Sequence, residues 1–168
     1  IRLLWNNIPA QLAKENKKFI YKVLKEGARA REYEAALQWL NDAGMIHQVY
    51  RVAPPRLPLD SYQDFAAFKL YMHDVGLLGA LSGLRSSVLI NGNELFTNFK
   101  GSMTEQYVLQ ELTARGIKPY YWSSDSGNAE VEFILQGNEG AYPLEVKAAT
   151  NTRAKSLKTY REMFKPTM

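Results

Sequence analysis

The 168 residues include no cysteine and two histidines. Disulfides and thiolate metal centres are thereby excluded, and a histidine-rich zinc site is disfavoured. A hydrophobic content of 46% suffices for one ordinary domain or two small ones. A net charge of +4 and a pI of about 9.2 permit an acidic partner such as nucleic acid without demanding one. No apolar run reaches membrane-spanning length and no signal peptide stands out, so a cytoplasmic setting is expected. The chain opens on "IRLLW", without methionine, and reads as a fragment of something longer.

In chain order, the first expected element is a helix over "ENKKFIYKVLKEG". Phe19, Ile20, Val23 and Leu24 form its apolar face, and Lys18, Lys22 and Lys25 form a basic stripe at helical spacing. A second helix follows in "REYEAALQWLNDAG". There Tyr33, Ala36, Leu37 and Leu40 recur at i, i+3, i+4 and i+7, and Gly44 provides the stop. "MIHQVYRV" reads as a strand, "APPRLPLD" as a loop, and "FAAFKLYMHDVGLL" as a strand running into a helix at Asp74. Two helices followed by a hairpin suggest a winged-helix-like unit over residues 1–80. "SGLRSSVLINGNELF" reads as a connection to a second unit, residues 81–168.

That unit begins with a helix in "SMTEQYVLQELTARG", stopped by Gly116. Strands are expected at 118–122, 129–136 and 141–148, and a closing helix at 154–164. "NAEVEFILQ" alternates Val131, Phe133 and Leu135 against Glu130, Glu132 and Ile134, and "GNEG" joins it to "AYPLEVKA" as a hairpin. No phosphate-binding loop ending in Lys-Ser/Thr is present, so nucleotide hydrolysis by that route is excluded for this chain.

A hairpin pairing the last two strands brings Glu132 toward Glu145, with Lys147 on the same face as Glu145. Two carboxylates suit Mg²⁺ or Mn²⁺, because hard cations prefer oxygen ligands, and a neighbouring lysine can orient a water or stabilise a phosphoryl group. On the preceding helix Glu105 falls in register with Val108, Leu109 and Leu112, where a buried carboxylate needs a partner. A metal or Lys147 would serve. Plainer readings compete: Ser102 and Glu105 match a capping box, and Glu132, Glu145 and Lys147 could be cross-strand ion pairs on a solvated face. His47 and His73 read as structural, and Tyr120, Tyr121 and Trp122 as core residues. Lys18, Lys22 and Lys25, with Arg153, Lys155 and Lys158, are candidate contacts to nucleic-acid phosphates.

"NAEVEFIL…YPLEVKAATNTRAKSL" resembles the PD-(D/E)xK pattern of restriction-endonuclease-like proteins. From about Ile8 onward the chain resembles the C-terminal, DUF4143 region of prokaryotic AAA-type ATPases, through "ALQWLNDAGMI", "FKLYMHDVGLL", "GSMTEQYVLQEL", "YYWSSDSGNAEVEFIL" and "YPLEVKA". The resemblance implies a winged-helix-like portion followed by a restriction-endonuclease-like mixed α/β sheet. It also implies an ATPase portion preceding them in the same chain, the only place where ATP would bind. Carried over, Glu105 matches the helix acid, Glu132 and Glu145 the metal ligands, and Lys147 the lysine of the ExK pair. These four form the implied catalytic set, with Mg²⁺ as cofactor and phosphodiester hydrolysis as reaction. The family usually has aspartate where this chain has Glu132, and the longer arm moves the carboxylate by about 1.5 Å. The alternative is a catalytically inactive nuclease fold that docks partners or regulates the ATPase.

Overall fold

The computed structural model describes residues 1–14, 17–85, 97–148 and 154–166. The chain folds as two compact units, Ile1–Gln48 with Lys69–Tyr107, and Val49–Phe68 with Val108–Met168.

In the first unit, helix α1 (Arg2–Leu12) buries Leu4, Ile8 and Leu12, one face at four-residue spacing. The buried Gln11 beside them donates to the Ile20 carbonyl at 2.9 Å and accepts from the Ile20 amide at 3.3 Å. A side chain that takes both backbone groups of one residue competes with a helical ladder. Ile20 is accordingly extended, at φ −124° and ψ 110°. Among the described residues 17–27 the expected helix is therefore replaced by one 3-10 turn, Tyr21–Val23. Phe19 and Leu24 are still buried, but Ile20 is exposed.

Helix α2 (Glu34–Asp42) buries Leu37 and Leu40. It stops as its sequence indicates: Gly44 sits at φ 66°, its amide donates to Asn41, and the Met45 amide donates to Leu40. Strand β1 (Ile46–Val52) follows, and β2 (Gln63–Met72) leads to helix α3 (Val75–Leu81). Asp74 caps α3 by accepting from the Leu77 amide at 2.8 Å. Helix α4 (Thr97–Ala114) is tied to the first unit by Ser102, which donates to the Leu12 carbonyl at 2.6 Å. The fully buried Gln106 bonds both the amide and the carbonyl of Met72, at 3.0 and 2.7 Å.

The sheet has five strands in the order β2-β1-β3-β4-β5, with β3 at Tyr120–Ser123, β4 at Glu130–Gln136 and β5 at Ala141–Leu144. β1 pairs parallel with β3, whereas β3–β4 and β4–β5 are antiparallel, so the sheet is mixed. The architecture is mixed α/β, and β1 and β2, the strands read as the winged-helix hairpin, are neighbours in this sheet. In the second unit Val52, Leu59, Tyr120, Trp122, Ala129, Val131, Ile134 and Ala141 form a core closed by helix α5 (Lys155–Phe164). Tyr160 and Phe164 of α5 stand edge-on to Trp122, at ring distances of 5.4 and 5.6 Å. The connection around 86–96 lies outside the described residues.

Candidate active site

The β4–β5 hairpin forms as its alternation indicates, turning where the Gly137 amide donates to the Gly140 carbonyl at 2.9 Å. Two local departures from ideal strands shape its far end. The first is a bulge. Tyr120 faces Ile134, but Trp122 faces Val131, so Glu132 and Phe133 both lie against Tyr121. One extra residue reverses the alternation, which is why Ile134 joins Val131 in the core while Leu135 is only partly buried.

The second departure is the early end of β5. The strand expected through residue 148 stops at Leu144, the partner of Phe133. Beyond it a side chain replaces the ladder, with the Glu132 carboxylate accepting from the Val146 amide at 3.3 Å. Extending the register by one step sets Glu132 against Glu145.

Glu145 and Lys147 still converge, though not as alternate residues of a strand. The Lys147 ammonium lies 2.5 Å from Glu145 Oε1 and is partly solvated, while the Glu145 side chain is only 6% exposed. The second oxygen, Oε2, is buried without a hydrogen-bond partner among the described residues. A buried polar atom left unpaired costs about 1–3 kcal/mol, and more when charged. Such an oxygen is receptive to a cation. Among the described residues no group of three or more histidine, aspartate or glutamate side chains could hold a metal. A cation bound at Glu145 would therefore have few protein ligands and fill its shell with water or ligand oxygens, as Mg²⁺ commonly does.

Glu105 belongs to the first unit. Its side chain is 8% exposed, its Oε1 is ion-paired with Lys17, and its Oε2 accepts from the Tyr71 hydroxyl at 3.3 Å. The capping-box reading fails, because Glu105 lies mid-helix in α4 and Ser102 is committed to Leu12. Lys69, fully buried in β2, escaped the sequence reading. Its signal was a charge inside an otherwise apolar run, two residues before Tyr71 and on the same strand face.

The basic residues sort differently from their spacing. Lys18, Lys22 and Lys25 are exposed, but they lie on the coil and 3-10 segment, so the expected helical stripe does not form. Lys155 and Lys158 are exposed on α5, with Glu162 at 3.9 Å from Lys158. Arg153 lies outside the described residues. Tyr120, Tyr121 and Trp122 are at most 2% exposed and are core residues, as expected. His47 and His73 stack at 5.8 Å, and burial first, then the His73 charge, lowers the pKa of His47.

Residues 1–88 match a family model described as a domain of unknown function, DUF8612, and residues 100–167 match another, DUF4143. No curated protein and no solved structure matches the chain. No helix among the described residues is long and apolar enough to cross a membrane.

Proposed function

The chain belongs to the DUF8612 family, whose model covers more than half of it, and from that premise we propose that its DUF4143 portion is a nuclease-like, nucleic-acid-binding unit acting on phosphodiesters with Mg²⁺. The observation that carries this reading is the buried Oε2 of Glu145, without a hydrogen-bond partner among the described residues, in a chain segment that also supplies Lys147. A bound divalent cation would polarise a phosphoryl oxygen and acidify a water. Glu145 and Glu132 would hold it. Lys147, already beside Glu145, would orient the attacking water or offset charge developing on the phosphoryl oxygens. The bond from the Val146 amide holds the Glu132 carboxylate at the end of the hairpin, next to the bulge in β4. Lys155 and Lys158 would contact the phosphate backbone. An ATPase portion of the same chain is the partner that the resemblance to AAA-type ATPases suggests.

The pairing of Lys147 with Glu145 Oε1 also favours a second reading, a catalytically silent fold in which the two charges only stabilise each other. The deciding experiment incubates labelled DNA and RNA with the protein and Mg²⁺ or Mn²⁺, beside Glu145→Ala and Lys147→Ala. Metal-dependent cleavage that both substitutions abolish supports the nuclease. Absence of cleavage, or cleavage that survives Glu145→Ala, leaves the silent fold.

A further inference from the structure

We propose that the phosphate-anchoring surface of the second unit is a pair of clefts that share Lys165, with Arg56, Arg161 and Lys165 joining Lys155 and Lys158 as contacts to the backbone of a nucleic-acid duplex. This proposal rests on the nuclease-like reading above and deepens it. One cleft, of about 390 Å³, runs along α5 and is lined by Leu157, Lys158, Arg161, Glu162 and Lys165. The other, of about 250 Å³, lies between the proline loop and the start of β5. Its walls include Arg56, Glu139, Ala141, Phe164 and Lys165.

Four cations thus line the two clefts with two carboxylates, and Glu162 is already turned toward Lys158 at 3.9 Å. Several cations of this unit are matched: Arg51 meets Asp64 and Asp125, and Lys118 meets Asp60. Arg56, Arg161 and Lys165 form no ion pair among the described residues. Their charge is therefore available to an anion.

The backbone holds Lys165 where it is. It caps α5 in the left-handed region, at φ 44°, a conformation that a non-glycine side chain adopts at a cost. A glycine there would end the helix more readily, yet lysine stands at the point the two clefts share.

Position along β5 ties this surface to the acidic pair. Ala141, the first residue of β5, lines the smaller cleft, and Glu145 follows four residues later. Four residues of fully extended chain span at most about 14 Å. That span covers about four base pairs at 3.4 Å each. One duplex can therefore lay phosphates on the cationic clefts while another part of its backbone reaches Glu145.

The test measures anisotropy of a short labelled DNA duplex with the full 168-residue chain across a salt series. The triple variant Arg56→Ala/Arg161→Ala/Lys165→Gly is compared with Lys18→Ala/Lys22→Ala/Lys25→Ala, which removes equal charge from the first unit. Circular dichroism verifies that both remain folded, and Lys165→Gly suits the left-handed backbone. Each lost phosphate contact lowers the salt slope by about 0.9, so the cleft variant is expected to lose about 2.7 while the first-unit variant keeps most of the parent slope. Equal losses in the two variants, or an unchanged slope in the cleft variant, overturn the proposal and leave the nuclease-like reading standing. A parent protein that binds no duplex at low salt overturns both. Binding to phosphatidylserine vesicles in place of duplex would assign the clefts to a membrane surface and also overturn it.

Discussion

Glu105→Ala tests whether the helix acid is held by protein charge within the first unit. The Glu105 and Lys17 side chains are 8% and 12% exposed, and Tyr71 adds a hydrogen bond to the second carboxylate oxygen. Removing one partner of a buried pair costs about 3–5 kcal/mol, because the other charge is left uncompensated. Lys17 retains some access to water, which places the expected loss near the lower end, about 3 kcal/mol. For a chain of this size each kcal/mol lowers Tm by about 2–4 °C, so a fall of about 6–12 °C is expected. Urea unfolding should show a lower midpoint at unchanged slope. Lys17→Met removes the stranded ammonium, so the double variant should be less destabilised than the sum of the singles by at least about 1 kcal/mol. A Glu105→Ala cost below about 1 kcal/mol, or strictly additive effects, would refute the ion-pair account.

Gln11→Ala frees the backbone of Ile20, which water can reach, so a stability loss of about 1 kcal/mol is expected. Hydrogen exchange at the Ile20 amide should quicken, and unchanged protection would contradict the pinning role of Gln11. The pKa of His47 is lowered on folding, so the folded chain binds fewer protons there than the unfolded one. Its contribution is therefore present above the ordinary value of 6.5 and is lost as pH falls through and below it. Stability to chemical unfolding over that range should weaken less with acid in His47→Gln than in the parent, and parallel profiles would exclude the titration of His47 as a cause.

Elements set by local chemistry were legible in the sequence. Gly44 ends α2 and Asp74 starts α3 because a left-handed stop and a side-chain cap are decided within a few residues. The β4–β5 hairpin followed from alternation around a glycine-flanked turn. What was not legible depended on distant partners. The helix expected around residues 15–27 had the right periodicity, but Gln11 takes the backbone of Ile20 instead. Glu105 was recognisable as a buried acid, whereas its partner Lys17, 88 positions away, left no local trace. The bulge at Glu132–Phe133 depends on the register with β3, so the exchange of Leu135 for Ile134 in the core could not be seen from β4 alone. In the candidate site the spacing points to Glu132, Glu145 and Lys147, but the ion pair of Glu145 with Lys147 lies beyond the end of β5, where the Glu132 side chain bonds the Val146 amide.

The most direct measurement is a calorimetric titration of Mn²⁺ into the metal-free full chain and into Glu145→Ala, with no nucleic acid present. A carboxylate oxygen buried without a partner among the described residues, one register step from Glu132, should take the cation weakly through few protein ligands and water. The account predicts saturable heat in the parent and its loss in Glu145→Ala. Equal heats in the two proteins would contradict it.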